Sequence, residues 1–360
     1  MSIATSAVGK GRVTLRTVAA ASKVSVMTVS YALRNNPEVS VEERIRIQRV
    51  AETLGYRPDP LLTHLMEHLR SQRTLKFAGN LAVLTSLKAP FVTRLLNGAY
   101  ARAERLGYHL DEIHVREHVQ SDRALTRTLT ARGISGVLLA PTDKPTTYLK
   151  LLDWSKFSAV AMTYSIVEPH VHRVVTHHFD NAVRTFALLE QRGFKRIGLA
   201  MTRDMEFRTN HSYTGAYHRM IGTGSCANLP ILYFNEANQR GTRQWFLEYQ
   251  PQAVAIANAN QMKSILLPAI GAKQAARTCF LSLDYEEGAG VSGIDQLFEV
   301  IGSSAVNALV AQIHRNEKGL PQNPTITMVE GRLRYEVGEP TMGQQSLGTL
   351  SQLLGYVPTA

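Results

Sequence analysis

The chain is 360 residues long, which is enough for two or three folded domains and too much for a single small one. Hydrophobic residues make up 44% of it and charged residues 19%, a balance that excludes a largely disordered chain. There are 40 Lys and Arg against 29 Asp and Glu, so the formal net charge of +11 favours a polyanionic partner.

The positive charge is concentrated near the N-terminus. Up to Lys76 the sequence contains 12 Lys and Arg against 6 Asp and Glu, a net of +6, and the remaining 284 residues carry the other +5. The first fifth of the chain thus holds about half of the excess charge. We therefore expect this segment to be the one that meets the polyanion.

The sequence contains no sign of export or of membrane insertion. Its N-terminus reads MSIATSAVGKGRVTL, without the apolar core of a signal peptide, and no run of about 18 apolar residues occurs anywhere. Cys226 and Cys279 lie far apart and form no CxxC pair, which favours a reducing compartment. We expect a cytoplasmic protein with no membrane partner.

Two short helices are predicted close together, after a small, polar and basic arm formed by residues 1–12. The first spans Leu15–Ala21, with Thr14 as its N-cap. The second spans Val26–Leu33, with Ser25 as its N-cap, and the sequence Arg-Asn-Asn-Pro ends it. Two short helices joined by a three-residue turn predict a helix-turn-helix module or, as the plainer alternative, an ordinary helical hairpin.

A third helix is predicted over Val41–Leu54. Ser40 would cap it and Glu43 follows three residues later, which is the spacing of a capping box. Gly55 would end it in the left-handed conformation that glycine adopts readily. The sequence Pro-Asp-Pro and an amphipathic stretch, LLTHLMEHLRSQR, come next and predict a linker helix.

Beyond Phe77 strand candidates alternate with helical stretches in two series. The first series has strands at 80–85, 109–114, 136–140 and 159–162, and helices at 91–106, 123–132 and 146–154. The second has strands at 173–176, 196–200, 229–234, 253–257 and 278–283, and helices at 181–192, 209–221, 242–249 and 262–270. A long helix at 297–315 and a strand at 325–330 follow. This alternation predicts parallel sheets covered on both faces.

The expected fold class is therefore α/β: a three-helix helix-turn-helix module plus a hinge helix, followed by two doubly wound parallel-sheet lobes. We divide the chain into a DNA-binding domain at 1–58, a hinge helix and linker at 59–76, a two-lobed domain at 77–340 and a flexible tail at 341–360.

These features resemble the LacI/GalR family of bacterial transcription repressors, up to about residue 338. The residues that carry the resemblance are Thr14-Leu15, Val18-Ala19, Val24-Ser25-Val26, Thr28-Val29-Ser30 and Gly55-Tyr56-Arg57-Pro58. The resemblance implies that the second helix enters the major groove of an operator, that the protein is a homodimer, and that the lobes are of periplasmic-binding-protein type. The DNA-binding residues that we expect are Thr14, Ser25, Val26, Met27, Thr28, Ser30, Tyr31, Arg34, Asn35 and Leu65.

Two positions differ from the residues that are common in the family, and a third has a role that the resemblance leaves open. Tyr31 stands where many members carry an Arg that reads guanine, and a phenol cannot make that bidentate contact, although Arg34 could partly replace it. Asp59 stands where Asn is common. Leu65 matches the hinge leucine that wedges the minor groove, or else it only packs against its dimer mate.

The resemblance also implies a small-molecule site in the cleft between the lobes. Asp284 matches a family Asp that accepts hydrogen bonds from sugar hydroxyls; the alternative is a loop-capping Asp. Asn258 and Asn260 stand where the family often has Asn-Asp. Ser212 stands where the family has Arg, and Arg208, one turn earlier, is its possible substitute. These changes put a standard sugar effector in doubt.

The sequence predicts a sequence-specific DNA-binding transcriptional regulator, a repressor, modulated by a sugar-like or related small molecule. The alternatives are a regulator without an effector and a cytoplasmic solute-binding protein. We expect no enzyme, no cofactor and no metal site: the pairs His64/His68 and His114/His118 lack acidic or Cys partners. The GxGxxG at 288–293 is interpreted as a flexible inter-lobe connection and not as a dinucleotide site.

Overall fold

The computed structural model describes residues 14–33, 35–56, 78–115 and 123–335. A three-helix module comes first, and two lobes follow, each built on a six-stranded sheet. The predicted hinge helix at 59–76 and the predicted tail at 341–360 lie outside the described residues, and the three boundaries between the four segments stay predictions. Among the described residues, no helix is long and apolar enough to cross a membrane.

The module consists of α1 (Leu15–Ser22), α2 (Val26–Leu33) and α3 (Val41–Thr53). The caps predicted at Thr14 and Ser25 are confirmed: each hydroxyl accepts from the backbone N–H three residues on, at 3.3 and 3.0 Å. The apolar side chains between the helices form the module's own core, namely Val18, Ala19, Val29, Ala32, Val39, Ile47 and Ala51. Burial of these side chains, and not intrinsic propensity, holds such short helices together.

The capping box predicted for α3 is only half formed. The Ser40 hydroxyl accepts from the Glu43 N–H at 3.3 Å, as expected. The Glu43 carboxylate, however, accepts two hydrogen bonds from Arg46 instead of reaching back to the Ser40 N–H. The guanidinium of Arg46 competes for the same carboxylate and provides a charge-assisted pair that the backbone N–H cannot match.

The first sheet has the strand order β13-β7-β5-β3-β1-β2, with all strands parallel. Its strands are β1 (Gly79–Thr85), β2 (Tyr108–His114), β3 (Ile134–Leu139), β5 (Ser158–Ala161), β7 (His172–Thr176) and β13 (Ile326–Val329). Its helices are α4 (Pro90–Arg105), α5 (Arg123–Ala131) and α13 (Phe298–His314). A two-stranded sheet, β4 (Thr146–Thr147) with β6 (Ile166–Glu168), is attached to this lobe.

The second sheet has the order β14-β12-β11-β10-β8-β9, with only β14 antiparallel. Its strands are β8 (Ile197–Met201), β9 (Leu232–Tyr233), β10 (Ala253–Ile256), β11 (Cys279–Ser282), β12 (Gly293–Asp295) and β14 (Arg332–Arg334). Its longer helices are α6 (His178–Gln191), α7 (Asp204–Arg208), α8 (Ser212–Gly222) and α9 (Gln239–Tyr249). Short helical turns follow β10: α10 (Ala259–Gln261), a π-turn (Met262–Leu266), α11 (Leu267–Ile270) and α12 (Ala272–Ala275).

The chain passes between the lobes three times. The first crossing follows Thr176, the second lies between Asp295 and Phe298, and the third lies between Val329 and Arg332. The prediction that the strand at 173–176 belongs to the second series is wrong, because β7 pairs with β5 and β13 of the first sheet. Periodicity in the sequence predicts a strand but not the sheet to which it belongs, because that sheet is determined by pairing with strands distant in sequence.

The helix predicted over 146–154 does not form. Thr146 and Thr147 are extended against β6, as suits β-branched residues, and Trp154 begins a 3₁₀ turn. Tyr148, Leu151 and Leu152 are buried, so their helix-like spacing reflects a packed turn. The helix predicted at 209–221 is also shorter, because Asn210 and His211 take left-handed backbone angles before α8 begins.

The GxGxxG stretch is not a flexible connection between the lobes. Ala289 and Val291 are buried in the core of the second lobe, and the Lys263 ammonium donates to the Gly288 carbonyl at 2.9 Å. The stretch runs straight into β12, so the crossing comes later than predicted. The small residues alone predict a linker, but the apolar residues between them pack into the core of the second lobe.

The helices α4 and α13 pack at close range on the first sheet. A Cβ on Gly98 would lie 2.0 Å from the Glu299 carbonyl oxygen, and a Cβ on Gly302 would lie 1.9 Å from that of Leu95. Only glycine at these positions lets the two backbones approach so closely. Because α13 follows the second crossing directly, this contact fixes where the connection from the second lobe enters the first.

The replacement Gly302→Ala should therefore force the two helices apart and lower the free energy of unfolding by about 3 kcal/mol. Gly222→Ala, at the end of α8 with nothing within 4 Å of the added Cβ, is the matched control and should change it by less than about 1 kcal/mol. Urea unfolding of both variants, followed by circular dichroism, measures the difference. Equal effects would contradict the close helix contact.

Candidate nucleic-acid interface and inter-lobe cleft

The helices α1 and α2 form a basic face on the module. Residues 14–33 contain Arg16 and Lys23 and no acidic residue, whereas the four acidic residues of the module all lie between Glu38 and Glu52. Since neither α1 nor α2 has an acidic side chain in its first turn, the positive ends of both helices are uncompensated. Such N-termini favour phosphate groups.

The start of α2 presents apolar and hydroxyl groups to solvent. Met27 is 61% exposed and Val26 is exposed beside it, whereas Val29, on the opposite face, is buried in the module's core. The hydroxyls of Ser25 and Thr28 lie 2.8 Å apart and share a hydrogen bond. The exposed side chains have the size and chemistry that fit base edges in a major groove.

The remaining DNA-binding candidates differ in their exposure and in what they contact. Tyr31 is half-buried and packs partly against the module's core. Asn35 serves the fold: its Oδ1 accepts from Gln48 at 2.8 Å, and its carbonyl accepts from Arg44 at 3.0 Å and from the Asn316 amide of the first lobe. Arg34 and Leu65 lie outside the described residues.

Between the lobes lies a cavity of about 290 Å³, where the carboxyl ends of the parallel strands face each other. Its size is at the lower end of small-molecule sites. The charged residues that line it are Arg208, Asp284 and Glu286. The uncharged polar residues include Thr163, Thr176, Thr209, Asn258, Asn260, Gln261 and Gln296.

The cavity brings together four of the five predicted effector-binding residues. Arg208, Asn258, Asn260 and Asp284 line it, and Ser212 does not. Ser212 is the first residue of α8, beyond the left-handed residues that end the loop after α7. The fold therefore puts Arg208, and not Ser212, at the position from which a side chain reaches the cavity.

Asp284 caps the helical segment after β10. Its carboxylate accepts from the N–H groups of Asn258 and Ala259, at 2.8 and 3.1 Å, and from the Ser282 hydroxyl at 3.1 Å. Burial raises the pKa of Asp284 to about 6, although these three hydrogen bonds oppose the shift. The loop-capping role that we held as the alternative is thus present, and the carboxylate also borders the cavity.

Sequence reasoning missed the aromatic walls of the cavity. Phe91 and Phe298 from the first lobe lie with their ring centroids 5.3 Å apart on one side. Tyr164 and His178 also line the cavity, with their ring centroids 6.3 Å apart. Phe91 could have been found, because it lies in the first turn of the helix that follows β1, at the carboxyl edge of the sheet. Phe298 could not, because its place depends on the second crossing.

Arg208 contacts the opposite lobe. Its guanidinium lies 4.8 Å from the centroid of the Phe91 ring, which is within the range of a cation–π interaction. Asp204, one turn earlier on α7, lies 3.5 Å from the same guanidinium. This contact joins α7 of the second lobe to α4 of the first at the edge of the cavity.

A hydrogen-bonded network joins the first two crossings behind His178. Gln296 donates to the Tyr213 hydroxyl at 2.9 Å and to the Leu283 carbonyl at 3.0 Å, and it accepts from the Thr176 hydroxyl at 3.2 Å. The Tyr213 oxygen also lies 3.2 Å from Nδ1 of His178. Burial, aided by the charge of Arg208, lowers the pKa of His178 to about 3, so the ring is neutral at physiological pH.

A second network, of charged residues, lies on the outer side of the same crossing. Arg94 of α4 donates to both oxygens of Glu299, at 2.7 and 2.8 Å, and to Asp295 at 3.1 Å. Arg334 of β14 lies 3.6 Å from the other oxygen of Asp295. The hydrogen bonds from Arg94 lower the pKa of Glu299. Charges from both lobes therefore meet at the buried carboxylate that ends β12.

Two family profiles match the chain. Residues 14–59 match "Bacterial regulatory proteins, lacI family", and residues 80–230 match "Periplasmic binding proteins and sugar binding domain of LacI family". With the fold, these matches define the class: a helix-turn-helix module followed by a two-lobed binding domain. The chain belongs to the LacI family of bacterial regulatory proteins, and both the resemblance and the fold class inferred from the sequence are confirmed.

Individual relatives are distant. The HTH-type transcriptional repressor CytR of Escherichia coli (strain K12) is 26% identical over 188 residues, which are 51% of this chain and 52% of that protein. The repressor PurR of Pasteurella multocida is 22% identical over 187 residues, 52% of this chain and 54% of that protein. The chain thus spans about half the length of the curated relatives it matches.

Solved structures show the same fold. The lac repressor dimer bound to operator and the anti-inducer ONPF has a TM-score of 0.56 at 18% identity, covering 92% of this chain and 99% of that one. The complex of the transcriptional regulator CelR with cellobiose has a TM-score of 0.56 at 19% identity, covering 90% and 99%.

The raised pKa of Asp284 predicts a pH dependence of stability. Between the unfolded value near 4 and the folded value of about 6, the folded state binds more protons, so raising the pH costs stability, by up to about 3 kcal/mol. Asp284→Asn removes this slope. Urea unfolding from pH 4 to 8 should show the wild type losing stability relative to the variant as pH rises, with a plateau above about pH 7. A constant difference between the two proteins would contradict the shift.

Proposed function

We propose that the protein is a sequence-specific DNA-binding transcriptional regulator, a homodimeric repressor whose affinity for its operator is set by a small molecule in the inter-lobe cavity. The observation that carries the proposal is the acid-free face of α1 and α2 on a module joined to a two-lobed cleft. Its site of action is bacterial DNA, which puts it in the cytoplasm.

In the proposed complex α2 lies in the major groove. Val26 and Met27 contact thymine methyl groups, and Thr28 and Ser30 offer hydroxyls to base edges or phosphates. The helix N-termini at Thr14 and Ser25 bind phosphates and fix the position of the module on the duplex. Tyr31 makes a single hydrogen bond at the position where the Arg of other family members would make two. The operator sequence therefore differs from the sequences that the Arg-bearing members bind.

The proposal also assigns roles outside the described residues. Arg34 would reach the groove edge next to Tyr31, and Leu65 would wedge the minor groove at the operator centre. Asn35 would contact DNA only through its amide nitrogen, because its two oxygens hold the turn and the first lobe.

A ligand in the cavity would affect DNA binding by changing the angle between the two lobes. The contact of Arg208 with Phe91 crosses the cavity edge, so a ligand that rests against either side chain favours one angle over another. The crossings transmit that angle to the start of the first lobe and so to the DNA-binding modules. A ligand that prefers the DNA-competent angle is a corepressor, and one that prefers the other is an inducer.

The cavity favours a small, uncharged effector with a flat ring. Phe91, Phe298 and the neutral His178 provide faces for a ring, and Asn258, Asn260 and Gln296 provide amide groups for its edges or hydroxyls. One observation favours the alternative of a regulator without an effector: both oxygens of Asp284 already accept hydrogen bonds from the protein. We propose no catalysis, because Asp284 is committed to the backbone and His178 does not protonate near neutral pH.

DNA reading by α2 is tested with a matched pair of exposed apolar residues. Met27 on α2 and Val41 on α3 are 61% and 62% exposed. On the operator obtained by binding-site selection, Met27→Ala should weaken binding about tenfold through the lost methyl contact, and Val41→Ala should leave it within twofold. Fluorescence anisotropy at one fixed salt concentration measures both. Equal losses would refute the assigned recognition helix.

The effector site is tested by a thermal-shift screen of sugars, nucleosides and free bases on the full chain. A compound that raises Tm should lose at least tenfold in affinity with Asn260→Ala, because its polar group is left unpaired. Asn228→Ala, an exposed asparagine outside the cavity, is the control. If no compound shifts Tm or changes DNA affinity, the regulator without an effector is the correct reading.

A further inference from the structure

His178 lines the inter-lobe cavity with only one of its two ring nitrogens engaged by the described part of the protein. Its Nδ1 lies 3.2 Å from the hydroxyl of Tyr213, a fully buried side chain that does not line the cavity. The two nitrogens of an imidazole point in nearly opposite directions, so Nε2 is turned away from Tyr213 and toward the cavity. Among the described residues Nε2 has no hydrogen-bond partner, and a ligand in the cavity can reach it.

The position of the proton on this ring decides what Nε2 offers to a ligand. Because burial lowers the pKa of His178 to about 3, the ring is neutral and carries a single N–H. If Nδ1 carries the proton, His178 donates to the Tyr213 oxygen, and Nε2 is a hydrogen-bond acceptor. If Nε2 carries it, Nδ1 can only accept, and the proton of the Tyr213 hydroxyl must point to Nδ1. The question is therefore where that hydroxyl proton goes.

The Leu283 carbonyl fixes the groups around this hydroxyl. A carbonyl oxygen only accepts, so the amide nitrogen of Gln296, 3.0 Å away, is the group that faces it. The other N–H of that nitrogen donates to the Tyr213 oxygen at 2.9 Å, and the Thr176 hydroxyl donates to the amide oxygen at 3.2 Å. The orientation of the Gln296 amide is thereby determined. It leaves the Tyr213 hydroxyl with its own proton and one unused lone pair.

The hydrogen bonds that result favour the proton on Nδ1 of His178. In that arrangement the Nδ1–H donates to the unused lone pair of Tyr213, and the Tyr213 hydroxyl donates to the Leu283 carbonyl at 3.3 Å. In the other arrangement the hydroxyl donates to Nδ1, and its bond to the carbonyl is lost. The bonds of Gln296 are the same in both. The first arrangement thus makes one hydrogen bond more, in a buried network where each bond adds to stability.

We propose that His178 presents the lone pair of Nε2 to the inter-lobe cavity as a hydrogen-bond acceptor, so that the effector places an N–H or O–H donor against it. A ligand with an acceptor at this point requires the proton on Nε2, and the Tyr213 hydroxyl then has to leave the Leu283 carbonyl. His178 therefore selects flat rings that carry a donor on their edge over rings of the same shape without one. This inference rests on the proposed effector site and names the chemistry of its ligand.

The proton on His178 can be located without any ligand. Two-bond nitrogen–proton NMR spectra of the full chain, labelled with nitrogen-15 only in histidine, distinguish protonated from unprotonated ring nitrogens, and His178→Gln identifies the signals by their loss. We expect a protonated Nδ1 and an unprotonated Nε2 at neutral pH. Tyr213→Phe removes the acceptor of Nδ1–H and should lower the Nδ1–H fraction at least about twofold. Tyr217→Phe should leave it unchanged, because Tyr217 is buried on the same helix α8 but donates to carbonyls outside this network.

The donor requirement is tested with two flat probes of one shape, indole and benzofuran. Indole has an N–H at the ring position where benzofuran has an oxygen, so they differ in the donor alone. In ligand-observed NMR titrations of the full chain, indole should bind at least about fivefold more tightly than benzofuran, and only indole should shift the Nε2 signal of His178. In His178→Phe, which keeps a flat ring without a nitrogen, the difference should fall below about twofold.

Two outcomes would overturn the proposal. A protonated Nε2 in the free wild-type protein would mean that His178 offers a donor and not an acceptor. Equal binding of indole and benzofuran to the wild type would mean that the ring does not select for a donor. Binding of neither compound would refute the ring-binding cavity of the proposed function, and the nitrogen signals of the free protein would still decide the proton position on His178. The two failures are therefore distinguishable.

Discussion

The triple passage of the chain between its two lobes is the constraint on which the rest of the structure depends. The three connections are also bonded to one another: His177 donates to the Val329 carbonyl at 2.9 Å, and Thr176 donates to Gln296 at 3.2 Å. Neither lobe can complete its sheet without a strand that lies beyond a connection, since β13 and β14 are the last strands of each. The two lobes are therefore joined through one hydrogen-bonded set of connections, which we call the hinge, and the cavity lies beside it.

The cavity and the charged network lie on opposite sides of this hinge. On the inner side Arg208 reaches across to Phe91, and on the outer side Arg94 reaches across to Asp295. The first contact joins the end of α7 to Phe91 of α4, and the second joins Arg94 of α4 to the end of β12, so a change of angle between the lobes alters both. Partly exposed ion pairs contribute little to stability, so the value of the Arg94 network is geometric: it restricts the approach of the lobes.

The local features and the family could be predicted from the sequence, but the long-range pairing of strands could not. The caps at Thr14 and Ser25 and the helices of the module follow from spacing within a few residues, and the βα alternation likewise needs only local periodicity. The strand β7 pairs with β5, which precedes it, and with β13, about 150 residues later, and no local pattern records the second pairing. Arg208, Asn258, Asn260 and Asp284 reach the cavity because each follows a strand of the second sheet, whereas Phe298 reaches it only through the second crossing.

We propose that the acid-free face of α1 and α2 reads a DNA sequence. The most direct measurement compares the affinity of the full chain for its selected operator and for a scrambled duplex over a range of salt concentrations. We expect a specificity ratio of at least about 10³ near physiological salt, with the affinity for both duplexes falling linearly on a log–log scale as salt rises. Equal affinities for the two duplexes, or an affinity that salt does not change, would contradict it.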